Sequence, residues 1–112
     1  MKIVDWKEQS IVETPHRVDV RKLYDHDNAQ VMHILLSPGE TLKPHITPVD
    51  VYFYILEGTV DVRVGDETVT VGIDRLVESP KDIVHCLSNS SDANARIMVV
   101  KAPKPVTSTR VL

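Results

Sequence analysis

The sequence predicts an all-β fold. Three observations carry that expectation. Apolar residues alternate with polar ones at a period of two in several runs, as on a half-buried strand. The runs recur at roughly 8–12 residue spacing with turn chemistry between them, the pattern of a β-sandwich or barrel. No window holds a convincing amphipathic helix.

The first strands are expected over Arg17–Leu23 and Gln30–Leu36, the second ending at Pro38-Gly39. A third, Val51–Leu56, runs into Glu57-Gly58. "TVDVRV" then places Val60, Val62 and Val64 on one face and Thr59, Asp61 and Arg63 on the other. "ETVTV" repeats this with Val69 and Val71, and Gly65-Asp66 between the two runs is a two-residue hairpin signal. Arg75–Glu78, Val84–Ser88 and Ala95–Lys101 complete the set, set apart by Gly72, Pro80 and the polar run Asn89–Asn94. Residues 1–16 are mostly polar with one Trp, and residues 102–112 hold two prolines. Both ends read either as segments lying across the barrel or a partner subunit, or as frayed ends.

The totals bound the function. A chain of 112 residues fits one domain over 1–112, with a barrel core at about 17–101. Hydrophobic residues at 42% argue for a globular protein and against disorder. No stretch approaches the roughly 20 apolar residues of a membrane span. "MKIVDWKEQS" has no apolar h-region, so a cytoplasmic location is expected. Cys86 is the one cysteine, which excludes an intrachain disulfide and a multi-cysteine zinc site. A net charge of -3 with both signs dispersed gives no basic patch for nucleic acid.

"HITPVDVYFYILEG" and the stretch to Asn89 carry a family resemblance. Gly39, His45 and Gly58 occupy the first, second and last places of the pattern G-x5-H-x-H-x3-E-x6-G, with Thr47 at the second His and Val51 at the Glu. Pro80, His85 and Asn89 match G-x5-P-x-G-x2-H-x3-N, with Asp74 and Asp82 at its glycines. From Gly39 to Asn89 the chain resembles the cupin family, small jelly-roll barrels built as a double-stranded β-helix. Asp tolerates the left-handed region better than most residues, so both glycine replacements are expected to keep their turns.

The resemblance implies a pocket of His45, Thr47, Val51, Phe53 and His85. It also implies that His45 and His85 are two ligands of a divalent metal: zinc, nickel, manganese or iron. Two imidazoles are one short of the usual catalytic zinc set, a hydroxyl is a weak replacement ligand, and Val51 cannot ligate. The bland alternative is a pair of pocket histidines bonded to each other, to Thr47 or to water. His33 is a candidate third ligand whose direction the apolar residues on both sides leave open. Asp50 and Cys86 are expected to face away from the pocket, His16 and His26 to be surface histidines, and Asn89 to hold the loop that follows it. Parity turns Tyr52 and Tyr54 outward, towards solvent or a second copy in a homodimer.

Three functions stay open. One is a small-molecule binder, with or without a reduced two-histidine metal site. The second is a metal-dependent enzyme of the dioxygenase or isomerase type. The third is a structural or regulatory dimer with a vestigial pocket.

Overall fold

The computed structural model describes residues 1–112. Ten strands follow in order: β1 (Asp19–His26), β2 (Ala29–Leu36), β3 (His45–Ile46), β4 (Asp50–Glu57), β5 (Val60–Val64), β6 (Glu67–Val71), β7 (Leu76–Ser79), β8 (Val84–Ser88), β9 (Ala95–Ala102) and β10 (Arg110–Val111). A 3-10 turn at Trp6–Glu8 is the one helical piece. The strands form two antiparallel five-stranded sheets, ordered β1-β2-β9-β4-β7 and β10-β3-β8-β5-β6. Their inner faces meet in a core of 15 buried apolar residues. This is the double-stranded β-helix that the strand pattern and motifs predict.

The differences from the expected elements have local causes. The first strand starts at Asp19 because Arg17 has φ 57, which interrupts an extended run. It continues to His26 because Asp27-Asn28 makes a tight hairpin in which His26 pairs with Ala29. Strands β3 and β10 are two residues each, too short for a period to reveal. In β6 Val71 is buried but Val69 is 52% exposed, because β6 is the sheet's edge. The Gly65-Asp66 hairpin is present, with Val64 opposite Glu67. Asp74 and Asp82 take φ 63 and 64, the left-handed conformation expected of them. Gly58 is required for a second reason besides its φ of 73: a Cβ there would lie 2.5 Å from the Asn94 carbonyl oxygen.

The register of the first sheet creates the pocket. Its inward residues form rows across β2, β9 and β4. Ile34, Ile97 and Ile55 make the first row, and all three are buried. Met32, Val99 and Phe53 make the second. Gln30, Lys101 and Val51 make the third, extended to Ser79 on β7. The inner face of this sheet is therefore apolar over two rows and polar at the third.

Both chain ends are held. Trp6 stacks on His33 with ring centroids 4.1 Å apart, and Arg21 donates to the carbonyl oxygens of Trp6, Lys7 and Gln9. At the other end β10 pairs with β3, and the Leu112 N–H donates to the Pro44 carbonyl at 3.0 Å. No helix is long and apolar enough to cross a membrane.

Candidate functional site

His45 and His85 lie directly opposite each other on β3 and β8. Their rings meet edge to face with centroids 4.4 Å apart, and Phe53 touches the His85 ring edge-on at 5.3 Å. Both histidines are buried, as are Thr47, Val51 and Phe53. Of the five residues expected to form a pocket, His45, Val51, Phe53 and His85 line one cavity; Thr47 does not line it and adjoins the group through His85.

The hydrogen bonds set the chemistry of each ring. His85 sits between two hydroxyls: Ser79 Oγ is 2.7 Å from Nδ1 and Thr47 Oγ1 is 3.2 Å from Nε2. One hydroxyl donates and the other accepts, so a neutral ring is fully satisfied. His45 Nδ1 lies 2.8 Å from the Lys43 carbonyl oxygen. A carbonyl only accepts, so Nδ1 carries the proton and Nε2 is a bare lone pair. Burial lowers the pKa of His45, against a smaller upward push from that carbonyl. Burial also lowers His85 to about 3, helped by His45 and the Lys101 charge. Both rings are neutral at pH 7.

Two residues at this site were not singled out in the sequence. His16, expected at the surface, is half-buried with its ring centroid 4.8 Å from that of His45. The Lys43 N–H donates to His16 Nδ1 at 2.9 Å, so residue 43 anchors both imidazoles through its own peptide groups. Burial and the neighbouring His45 bring His16 down to about 4. A turn containing Thr14, Pro15 and His16 carries no periodicity, so only its tertiary placement reveals the role. Lys101 is the second. It ends the apolar run of β9, and strand parity with Ile97 and Val99 turns it inward.

These residues surround a cavity of about 200 Å³. Its walls are mainly apolar, among them Val20, Met32, Ile34, Phe53 and Val99, with His16, His45, His85, Gln30 and Lys101 as polar groups. Thr109 and Val111 of the C-terminal segment complete the wall. A larger surface hollow of about 530 Å³ around Glu13 and Arg17 contains none of these histidines and is wide open.

His33 is on the other face of the sheet. It is buried under Trp6, and Arg96 donates to its Nε2 at 3.2 Å. It is the packed core histidine, not a third ligand. Asp50 faces outward and accepts from the Lys81 N–H at 2.9 Å. Cys86 also faces outward, its thiol 2.9 Å from the Leu42 carbonyl oxygen. His26 is exposed against Tyr24. Asn89 holds the following loop as expected, bonding Leu36, Ser91 and Ala93.

The donor set does not fit a cupin-type metal. A first-row divalent ion takes several imidazole or carboxylate lone pairs. His45 Nε2 offers one, while both nitrogens of His85 and Nδ1 of His16 are already engaged. No group of three or more His, Cys, Asp or Glu side chains is arranged to hold a metal ion. The Lys101 charge, which already disfavours protonation of His16, His45 and His85, disfavours any added cation for the same reason.

Comparison with known proteins agrees with this architecture. The chain is 33% identical over 72 residues to the tetracenomycin polyketide synthase protein TcmJ of Streptomyces glaucescens, covering 63% of this chain and 48% of that protein. It therefore spans about half the length of the curated relative it matches. It superposes on TT1209 from Thermus thermophilus with a TM-score of 0.81 at 29% identity, covering 94% of this chain and 100% of that one. The polyketide cyclase RemF from Streptomyces resistomycificus shares the fold, with a TM-score of 0.84 at 24% identity over 100% of this chain and 85% of that one. The family described as "Cupin domain" matches residues 32–101, more than half of the chain, and the protein belongs to that family.

Proposed function

We propose that this protein binds a small, mostly apolar organic molecule in the barrel cavity, with His45 orienting it. The carrying observation is the neutral His45 ring, with no hydrogen bond at Nε2, among the residues lining a mostly apolar cavity of about 200 Å³. That volume is below the roughly 300–1,000 Å³ typical of sites for drug-sized ligands, while an apolar cavity of about 150 Å³ is enough for benzene. The ligand class is therefore a substituted aromatic ring or a molecule of similar size. TcmJ is named for a polyketide synthase and RemF for a polyketide cyclase, and cyclic polyketide fragments belong to that class.

A second reading is proton abstraction from such a ligand by His45. The bare nitrogen favours it, because a neutral imidazole with a free lone pair is a general base. A thermal-shift panel of small aromatic and polyketide-like compounds tests binding, since a ligand selective for the folded state raises Tm. A compound that raises the Tm of the native chain and not of Met32→Trp, which fills the cavity, supports the reading. Equal shifts in both variants sink it. His45→Gln then separates the two forms: binding kept with turnover lost marks the base.

For assembly, the outward Tyr52 and Tyr54 of β4 suit the face on which a second copy would pack. Light scattering tests this: a dimer mass that falls to a monomer in Tyr52→Arg/Tyr54→Arg supports it, and a native monomer refutes it.

A further inference from the structure

We propose that the cavity's ligand is an organic anion and that Lys101 is its charge partner. The claim rests on the pocket reading above and adds the ligand's charge and the residue that selects it.

Lys101 occupies an unusual place. It faces inward on β9, in the row that also holds Gln30, Val51 and Ser79. Its cross-strand neighbours are therefore an amide and an aliphatic side chain. Its amine makes no ion pair and no hydrogen bond, although Lys22, Lys104, Arg21 and Arg96 all find carboxylates elsewhere. The residues lining the cavity include no Asp and no Glu. Three neutral imidazoles, His16, His45 and His85, feel its charge.

A cation placed like this is costly. Burial lowers the pKa of the amine, and no acidic neighbour opposes the shift. Lysines left half-buried without a partner are uncommon, because a desolvated charge is normally paired. The cost is removed if the ligand brings the missing negative charge. The site then has two ends. Phe53, Met32 and Val99 receive the apolar body, and Lys101 receives an oxyanion. Gln30, paired directly with Lys101, also lines the cavity; its amide donates one N–H to Asp25 Oδ1 at 3.4 Å, which leaves the second N–H for the other oxygen. Carboxylates and the enolate or phenolate form of an acidic carbonyl compound share that chemistry.

The test compares probes of equal shape and different charge by calorimetry at pH 7. Benzoate and benzamide differ by one charge, and salicylate adds an ortho oxygen. The expected result is that benzoate binds the native chain roughly tenfold to hundredfold more tightly than benzamide, the range for a hydrogen bond to a charged group. Lys101→Met keeps the stem and removes the charge. It should abolish that preference, lowering benzoate affinity far more than benzamide affinity, while Lys101→Arg should retain most of it. Lys101→Met should also raise the Tm of the ligand-free protein, because it removes an uncompensated charge. That second readout shows that the variant folds.

If benzamide binds and benzoate binds no more tightly, the anion inference falls while the organic-ligand pocket stands. If the preference survives Lys101→Met, Lys101 is not the selecting residue and the inference falls. If neither probe nor salicylate binds at millimolar concentration, the pocket reading and the inference fall together.

Discussion

Acid should destabilise this protein through its buried histidines, and His85 allows the size to be worked out. In the unfolded chain its ring takes up a proton near 6.5, whereas in the fold it does so only near about 3. Between those values the unfolded state holds more protons, so stability falls as pH falls. A protonated ring would also need both Ser79 and Thr47 to accept, and would sit beside His45 with little water. The cost is about 1.4 kcal/mol per pH unit for one histidine, or roughly 3 kcal/mol between pH 6.5 and 4. His16 and His33, each lowered to about 4 chiefly by burial, steepen the loss in the same window. Asp25, held at about 2 by Lys104 and Lys22, enters only below that window. The assay is urea unfolding at half-unit pH steps, read by far-UV circular dichroism. His85→Gln keeps two hydrogen-bonding groups and cannot titrate. Its stability should fall with acid less steeply than the native chain's, by about 1.4 kcal/mol per pH unit. Parallel slopes in the two proteins would refute a neutral, buried His85.

Asn89→Ala removes a fully buried amide that bonds the Leu36 and Ala93 carbonyls and the Ser91 N–H and hydroxyl. It should cost about 3–4 kcal/mol by urea unfolding, and a loss below about 1 kcal/mol would show that the loop does not depend on it. Gly58→Ala forces a Cβ to within 2.5 Å of the Asn94 carbonyl oxygen at positive φ. It should cost at least about 2 kcal/mol by the same assay, and a neutral result would contradict the packing of that turn. Thr47→His with Val51→Glu rebuilds the family's two missing ligands around His45 and His85. Elemental analysis after incubation with zinc or nickel should find near-stoichiometric metal in this variant, and metal no higher than in the native chain would contradict the donor-set argument.

The fold was legible because its signals are local. Alternation in Val60–Val64, the Gly65-Asp66 hairpin and the motif spacing around Gly39, Gly58 and Pro80 each act over a few residues. Strands β3 and β10 were not legible, since two residues make no period and their pairing joins segments far apart in the sequence. The site divides the same way. His45 and His85 lie inside the motifs, and their placement beside Val51 and Phe53 was readable; Thr47 meets the pair through its bond to His85 and does not line the cavity. His33 was ambiguous because both faces of β2 are apolar; Trp6 covers one of them, so each face is buried for a different reason. His16 and Lys101 were missed because one sits in a loop and the other looks like a strand's polar end. Only the register, with Lys101 opposite Gln30 and Val51, shows that this polar end points inward.

Under the proposed function, the neutral, bare Nε2 of His45 meets an organic ligand rather than a metal. The most direct measurement is the ¹⁵N spectrum of the histidine rings of the native chain at pH 7, titrated first with benzoate and then, in a fresh sample, with equimolar zinc. His45 should be the Nδ1-protonated tautomer, with an Nε2 signal that moves with benzoate and stays in place with zinc. Nε2 signals of both His45 and His85 that move with equimolar zinc, and not with benzoate, would contradict it.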